Sequence, residues 1–277
     1  MRVVSAIPGL RRVRAAEGRP IELVPTLGAL HAGHVSLLER GRAAGGALWM
    51  TLFLNPLQFG ANEDLATYPR PLERDLELAK QAGVELVFTP TVDDLYPPAF
   101  ASYVEPTGAA TRWEGESRPG HFRGVATVVA ILFRLCQPRR AYFGEKDYQQ
   151  LQVIRQLVRD LHLDVEIVPC PTIREPDGLA YSSRNVYLAT PARRSATVLY
   201  RALQAARRDY GTGERRGDRL VATMTETVAA EPGAVLDYAA VVDSASLEPL
   251  QEVEGAARLL IAAHVAGVHL IDNMAVS

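Results

Sequence analysis

Pro25-Thr26-Leu27-Gly28-Ala29-Leu30-His31-Ala32-Gly33-His34 follows the apolar run Ile21 to Val24 and precedes a helical pattern from Val35 to Ala44. A strand, a tight turn and a helix start in this order form a phosphate site, because the first helical N–H groups have no partner within the helix. Gly28 and Gly33 allow the backbone to come close to a ligand, and His31 and His34 add donors or positive charge.

The same rhythm continues on the carboxyl side. Apolar runs at Ala47 to Leu54, Val84 to Phe88, Ala141 to Phe143 and Val165 to Val168 alternate with helical patterns at Leu72 to Ala82, Val125 to Leu135 and Tyr148 to Leu161. Such alternation predicts a parallel sheet covered by helices, the α/β class, with ligands beyond the carboxyl ends of the strands. After the turn-rich Arg174 to Asn185, Ala-rich helical patterns at Pro191 to Arg208 and Arg219 to Ala230 lead to runs at Leu236 to Val242, Arg258 to Ala262 and Val268 to Ile271. These suggest a smaller α+β domain, with the boundary near Thr172: residues 1–172 and 173–277.

The 277 residues are 48% hydrophobic, enough for full cores, and the formal net charge of -2 provides no field for nucleic acid. The short basic patches Arg11 to Arg14 and Arg215 to Arg219 read as solvated surface. Cys136 and Cys170 lack metal-ligand or redox spacing and read as reduced core residues. No signal-like segment and no apolar run near the roughly 20 residues needed to cross a bilayer is found, so the expected location is cytoplasmic and no membrane partner is expected.

Four further segments carry polar groups. In Phe53-Leu54-Asn55-Pro56-Leu57-Gln58-Phe59-Gly60, the amides of Asn55 and Gln58 suit the hydroxyl and carboxylate groups of a small substrate. Tyr68, Arg70 and Asp75 nearby read either as a covering loop or as solvated surface. Arg118-Pro119-Gly120-His121-Phe122-Arg123-Gly124 suits an anion, or is a helix-opening loop with exposed arginines. In Gly144-Glu145-Lys146-Asp147-Tyr148-Gln149-Gln150, Lys146 offers a point charge to phosphates. Asp147 can bind a ribose hydroxyl, cap the helix or help hold a cation. In Thr172 to Asn185, two hydroxyls and an arginine in a flexible loop can clamp a triphosphate. The inventory is donors, cations and amides, without a hydrolase triad or a recognisable nucleophile motif, and it suits activation by positioning and charge stabilisation.

From about Val24 to Leu188 these segments resemble, in order and wording, the pantoate:beta-alanine ligase family; Asp237-Tyr238 and Leu270-Ile271-Asp272-Asn273 extend the likeness more loosely. The resemblance implies a Rossmann-like doubly wound sheet of the HxGH nucleotidylyltransferase superfamily and a carboxyl-terminal domain closing over the ATP site. It implies that ATP and (R)-pantoate form pantoyl adenylate and pyrophosphate, and that beta-alanine then gives pantothenate and AMP. It places His34 as proton donor with His31 at the phosphates, and ATP on Leu27, Gly28, Ala29, Leu30, His31, Ala32, Gly33 and His34. Gly144, Glu145, Lys146, Asp147, Ile173, Tyr181, Ser182, Ser183 and Arg184 complete the nucleotide site, with Lys146 among the catalytic groups. Gln58, Gln150 and Asn55 are expected on substrate.

Magnesium is expected with ATP; Asp75 is a candidate ligand, but no protein ligand is assigned. A homodimer is expected from the family. Leu27 stands for the usual methionine, while Val186 and His269 stand where arginine is common. The remaining alternatives are another nucleotidylyltransferase and a nucleotide-sensing or zinc-stabilised module without turnover.

Overall fold

The computed structural model describes residues 1–61 and 63–276. They divide into two compact units, residues 1–145 with 150–171, and residues 146–149 with 172–277.

The first unit contains β1 (Arg2–Val4), β2 (Ile21–Thr26), β3 (Ala47–Leu52), β4 (Leu86–Phe88), β5 (Arg140–Gly144) and β6 (Glu166–Cys170). They form a six-stranded sheet in the order β1-β4-β3-β2-β5-β6, and its registered pairs are all parallel. The order reverses between β2 and β5, which is the switch point where doubly wound sheets open a crevice. Val24, Leu48 and Met50 pack with Leu37 and Leu38 of helix Ala32–Ala43 and Ala79 of helix Leu72–Gln81. Leu23 and Trp49, one residue out of phase on the same strands, are equally buried and face the other side, as strand alternation requires. Both faces are therefore dry, which is why these strands read as continuous apolar runs.

Glu22 is fully buried at the start of β2, where Arg140 (2.8 and 2.9 Å) and the Tyr142 hydroxyl (2.6 Å) hold its carboxylate. Burial pushes the Cys136 thiol up to about 12 and the Cys170 thiol up to about 11, so neither is a thiolate at neutral pH.

The second unit has a three-stranded antiparallel sheet of β7 (Ala234–Asp243), β8 (Ala257–Val265) and β9 (Val268–Val276). Alternate β8 residues Ala257, Leu259, Ile261, Ala263 and Val265 pack with Leu199, Leu203, Leu220 and Met224 of helices Val198–Gly211 and Gly217–Ala229. The pattern from Pro191 to Arg208 predicts one helix, but helix Thr190–Ser195 ends before Val198–Gly211 begins. The N-terminal β1 and helix Ile7–Ala16 have no counterpart in the sequence reading. Two arginines in the basic patches are also not simply solvated. Arg14 donates to the Leu135 carbonyl at 2.9 Å, and Arg215 stacks on Tyr210 and donates to its carbonyl at 2.7 Å.

Candidate functional site

Because β3, β2 and β5 are adjacent and parallel, the turns that follow them leave one edge of the sheet. The turn after β2 is the most constrained. Thr26 Oγ1 donates to the Thr51 carbonyl at 2.8 Å, fastening the end of β2 to β3. Gly28 (φ 96°) and Ala29 (φ 52°) then both take left-handed backbone conformations. The N–H groups of Ala29 and Leu30 donate to the two oxygens of one carboxylate, Asp75 Oδ2 and Oδ1, each at 2.8 Å.

Asp75 comes from the first turn of helix Leu72–Gln81 and is 1% exposed. Burial pushes its carboxyl above the ordinary range, against the opposing pull of the two N–H groups. A Cβ on Gly28 would lie 3.2 Å from Asp75 Oδ2, so the glycine serves both the backbone angle and this close approach. Asp75 is therefore neither a covering-loop residue nor solvated surface, and its enclosed carboxylate does not suit a magnesium ligand. It braces the turn from inside, because backbone N–H groups left unpaired there would be costly.

The helix that follows is capped by its two histidines. Gly33 N donates to His31 Nδ1 at 3.2 Å, and His31 N donates to His34 Nδ1 at 3.3 Å, a reciprocal capping box made of imidazoles. Each Nδ1 accepts a hydrogen, so the bonding pattern assigns the proton of each neutral ring to Nε2. The ring centroids are 4.0 Å apart and both side chains are half-buried. Among the described residues, no cluster of three metal-ligating groups includes this pair.

The turn after β3 continues into a short 3-10 turn, Pro56–Gln58. Asn55 is fully buried there, and its side chain makes four bonds. Its Oδ1 accepts from Leu57 N (3.2 Å) and the Tyr96 hydroxyl (2.8 Å), and its Nδ2 donates to Gln58 Oε1 (3.1 Å) and the Gly124 carbonyl (3.0 Å). Its hydrogen-bonding capacity is thus filled by the protein. The bond to Oε1 also sets the Gln58 amide, making Nε2 its donor end.

The Gln58 carbonyl accepts from Arg118 Nη2 (3.3 Å) and pairs with His121 Nδ1 (2.8 Å). Arg118 also pairs with Glu63 at 2.6 Å. Burial alone would raise the Glu63 carboxyl, yet this guanidinium holds it below the ordinary range. Arg123 pairs with Glu105 at 3.1 Å and lies over Tyr103. The anion reading of Arg118 to Gly124 is corrected accordingly: Arg118 and His121 build the loop that carries Gln58. Helix His121–Cys136 comes so close that a Cβ on Gly124 would lie 2.2 Å from the Leu57 carbonyl oxygen. Gln150 is half-buried in the first turn of helix Tyr148–Asp160.

In the second unit, Lys146 Nζ lies 3.5 Å from Asp147 Oδ1, a loose pair. Asn273 Nδ2 donates to the Lys146 carbonyl at 2.8 Å, while Asn273 Oδ1 accepts from Arg258 Nε at 2.8 Å. Arg258 in turn stacks on Tyr148, whose hydroxyl donates to the Ser244 carbonyl at 2.7 Å. Arg174 opens the loop with Ile173. It forks onto Asp272 (2.5 and 2.8 Å), donates to the Gly178 carbonyl (3.0 Å) and lies over Tyr200.

Gly178 has φ 93°, and a Cβ there would lie 2.0 Å from the Tyr200 ring. Ser182 Oγ accepts from Arg184 N at 3.2 Å and starts the turn Ser183–Tyr187; Tyr181, Ser182, Ser183 and Arg184 are all half-buried. Asp272 and Asn273 are thus anchors of this segment that the reading by motif left outside the site. Their signal was present in the looser carboxyl-terminal likeness.

A family model for pantoate-beta-alanine ligase matches residues 2–275. The pantothenate synthetase of Roseiflexus sp. (strain RS-1) is 51% identical over 273 residues, covering 99% of this chain and 98% of the relative. That of Chloroflexus aggregans is 52% identical over 275 residues, covering 99% of each. Among solved structures, pantothenate synthetase from Thermus thermophilus superposes with a TM-score of 0.95 at 49% identity, covering 99% of each chain. A Francisella tularensis pantoate-beta-alanine ligase complexed with beta-gamma ATP and beta-alanine superposes with a TM-score of 0.82 at 33% identity, covering 99% of this chain and 97% of that one.

Proposed function

The chain belongs to the pantoate-beta-alanine ligase family, and from that premise we propose how its own residues divide the work of joining (R)-pantoate to beta-alanine with ATP. In the first step a pantoate carboxylate oxygen attacks the α-phosphorus, and the bond to the departing pyrophosphate breaks. In the second, the beta-alanine amine attacks the acyl carbon of pantoyl adenylate. The C–N bond forms, AMP leaves with the C–O electron pair, and the amine gives up a proton.

The observation that carries this reading is the reciprocal imidazole cap at the opening of helix Ala32–Ala43. With Nδ1 of each ring engaged by backbone, His34 and His31 would offer Nε2–H groups to the α-phosphate as charge builds on it. Leu27 to Gly33 would receive phosphate oxygens on backbone N–H groups other than the two that Asp75 holds and the two, of His31 and Gly33, that the imidazole cap engages. Gly144 to Asp147, Ile173 and Tyr181 to Arg184 are assigned to the nucleotide, with Lys146 as a point charge on phosphate. Gln58 and Gln150 are assigned to pantoate, Gln58 donating through Nε2. Asn55, whose own bonds are filled, acts through Gln58 as a positioning residue.

Magnesium entering with the nucleotide would neutralise phosphate charge. Phosphate oxygens, water and the half-exposed Asp147 fit it, whereas the enclosed Asp75 does not. Homodimerisation and a cytoplasmic location are retained from the family resemblance and from the two buried free thiols. Sedimentation of the purified chain tests the first.

The reading is tested by exchange of labelled pyrophosphate into ATP. Exchange is expected only with pantoate present, and beta-alanine should then yield pantothenate and AMP in equal amounts. Formation of ADP in place of AMP would refute the adenylate route.

A further inference from the structure

On the sheet of the second unit, Asp237, His264 and His269, none of them assigned a role above, bring three potential ligand atoms within 4.8 Å of one another. Among the described residues this is the one such group. The fold creates it with two local devices. His264 and His269 are directly opposed in the β8–β9 register, two positions from a turn whose Ala266 (φ 49°) and Gly267 (φ 80°) are both left-handed. That pattern matches a tight type I′ hairpin and fixes the pairing.

Side chains of an opposed pair stand on the same face with Cβ atoms about 4.5–5.5 Å apart, and the two rings here have centroids 4.8 Å apart. The second device is on β7. Register shifts between Leu236 and Tyr238, so Asp237 is an extra residue unpaired with β8. The displaced carboxylate reaches past β8 to β9, where Asp237 Oδ2 lies 3.1 Å from His269 Nε2.

We propose that Asp237, His264 and His269 form a binding site for a divalent transition-metal ion of the zinc class. Two imidazoles and one carboxylate match the preference of zinc for nitrogen with one hard oxygen, and water would complete the coordination. Ligand atoms around tetrahedral zinc lie about 3.3 Å apart, given bond lengths near 2.0–2.1 Å. The Asp237–His269 pair is already at that separation, and the exposed His264 closes the remainder by side-chain rotation. A bound ion would link β7 to β9 across β8.

Calorimetric titration of the full chain with zinc chloride at pH 7.5, free of nucleotide and phosphate, tests this. One zinc ion is expected to be lost from the stoichiometry in the doubly substituted His264→Asn, His269→Asn protein. Asp237→Asn is expected to weaken that same site by roughly 10-fold or more, at least what loss of an outer-shell partner brings. In chelator the double variant should melt with the wild type, because these side chains are exposed or half-exposed. Added zinc should then raise melting by a few degrees in wild type alone, as binding to the folded state requires. An unchanged zinc stoichiometry and affinity in the double variant would overturn the site and place any bound zinc on other groups.

Discussion

Asn273 and Lys146 are 127 positions apart in the chain, yet the Asn273 amide donates to the Lys146 carbonyl at 2.8 Å while its oxygen takes Arg258. Replacing Asn273 by alanine leaves a part-buried carbonyl and a guanidinium without that partner. A destabilisation of about 1–3 kcal/mol is expected. If Lys146 serves the phosphates, the KM for ATP should rise while that for beta-alanine stays near wild type. Equal changes in both would remove Lys146 from the nucleotide.

His34 combines two roles that substitution can separate. Alanine removes both the cap acceptor and the Nε2 donor; asparagine places an oxygen near the position of Nδ1 and supplies no group at Nε2. Both variants are expected to lose pyrophosphate exchange by about 100-fold or more. Only alanine should also lose roughly 1 kcal/mol of stability through the cap. Near-wild-type exchange in the asparagine variant would assign His34 to folding alone.

Asp75 gives a pH signature of unusual sign. Its carboxyl is raised by burial, so the stability contributed by the protonated form is complete below the ordinary value of 3.8 and is lost as pH rises through the raised value. The stability difference between wild type and Asp75→Asn should therefore narrow from about pH 3.5 to neutral, as read by denaturant unfolding. A difference that widens with pH would mean the turn's N–H groups outweigh burial.

Gly124→Ala would drive a methyl group into Leu57 O and Gln58 N, which an ideal Cβ approaches to 2.2 and 2.5 Å. The 3-10 turn must move, and Gln58 moves with it. A displacement on the order of 1 Å costs about 100-fold in turnover, so exchange should fall with a raised KM for pantoate and unchanged nucleotide binding. Unaltered pantoate kinetics would detach Gln58 from that substrate.

What the sequence revealed follows from what is local. The strands Ile21–Thr26, Ala47–Leu52 and Leu86–Phe88 are buried on both faces and read as apolar runs, and the turn after the first carries Gly28 where the backbone is left-handed. Partners of polar side chains are settled by distant contacts. Asn55 reads as a ligand until Tyr96 and Gly124 fill its bonds, and Arg118 reads as an anion site until Glu63 takes it. Asp75 looks like one more charge on an amphipathic helix, and nothing within a dozen residues of it points to Leu30. The strand Arg2–Val4 is too short to show alternation, and Pro8 and Gly9 obscure the helix beside it.

The reciprocal cap of His31 and His34 also bears on inhibitor chemistry. Both neutral rings keep their proton on Nε2 for as long as backbone N–H groups occupy Nδ1. A compound that offers this turn an amide or hydroxyl hydrogen sets donor against donor. A sulfonyl or other acceptor-only group in the same place meets two protons already in position, with no tautomer change to fund from its affinity.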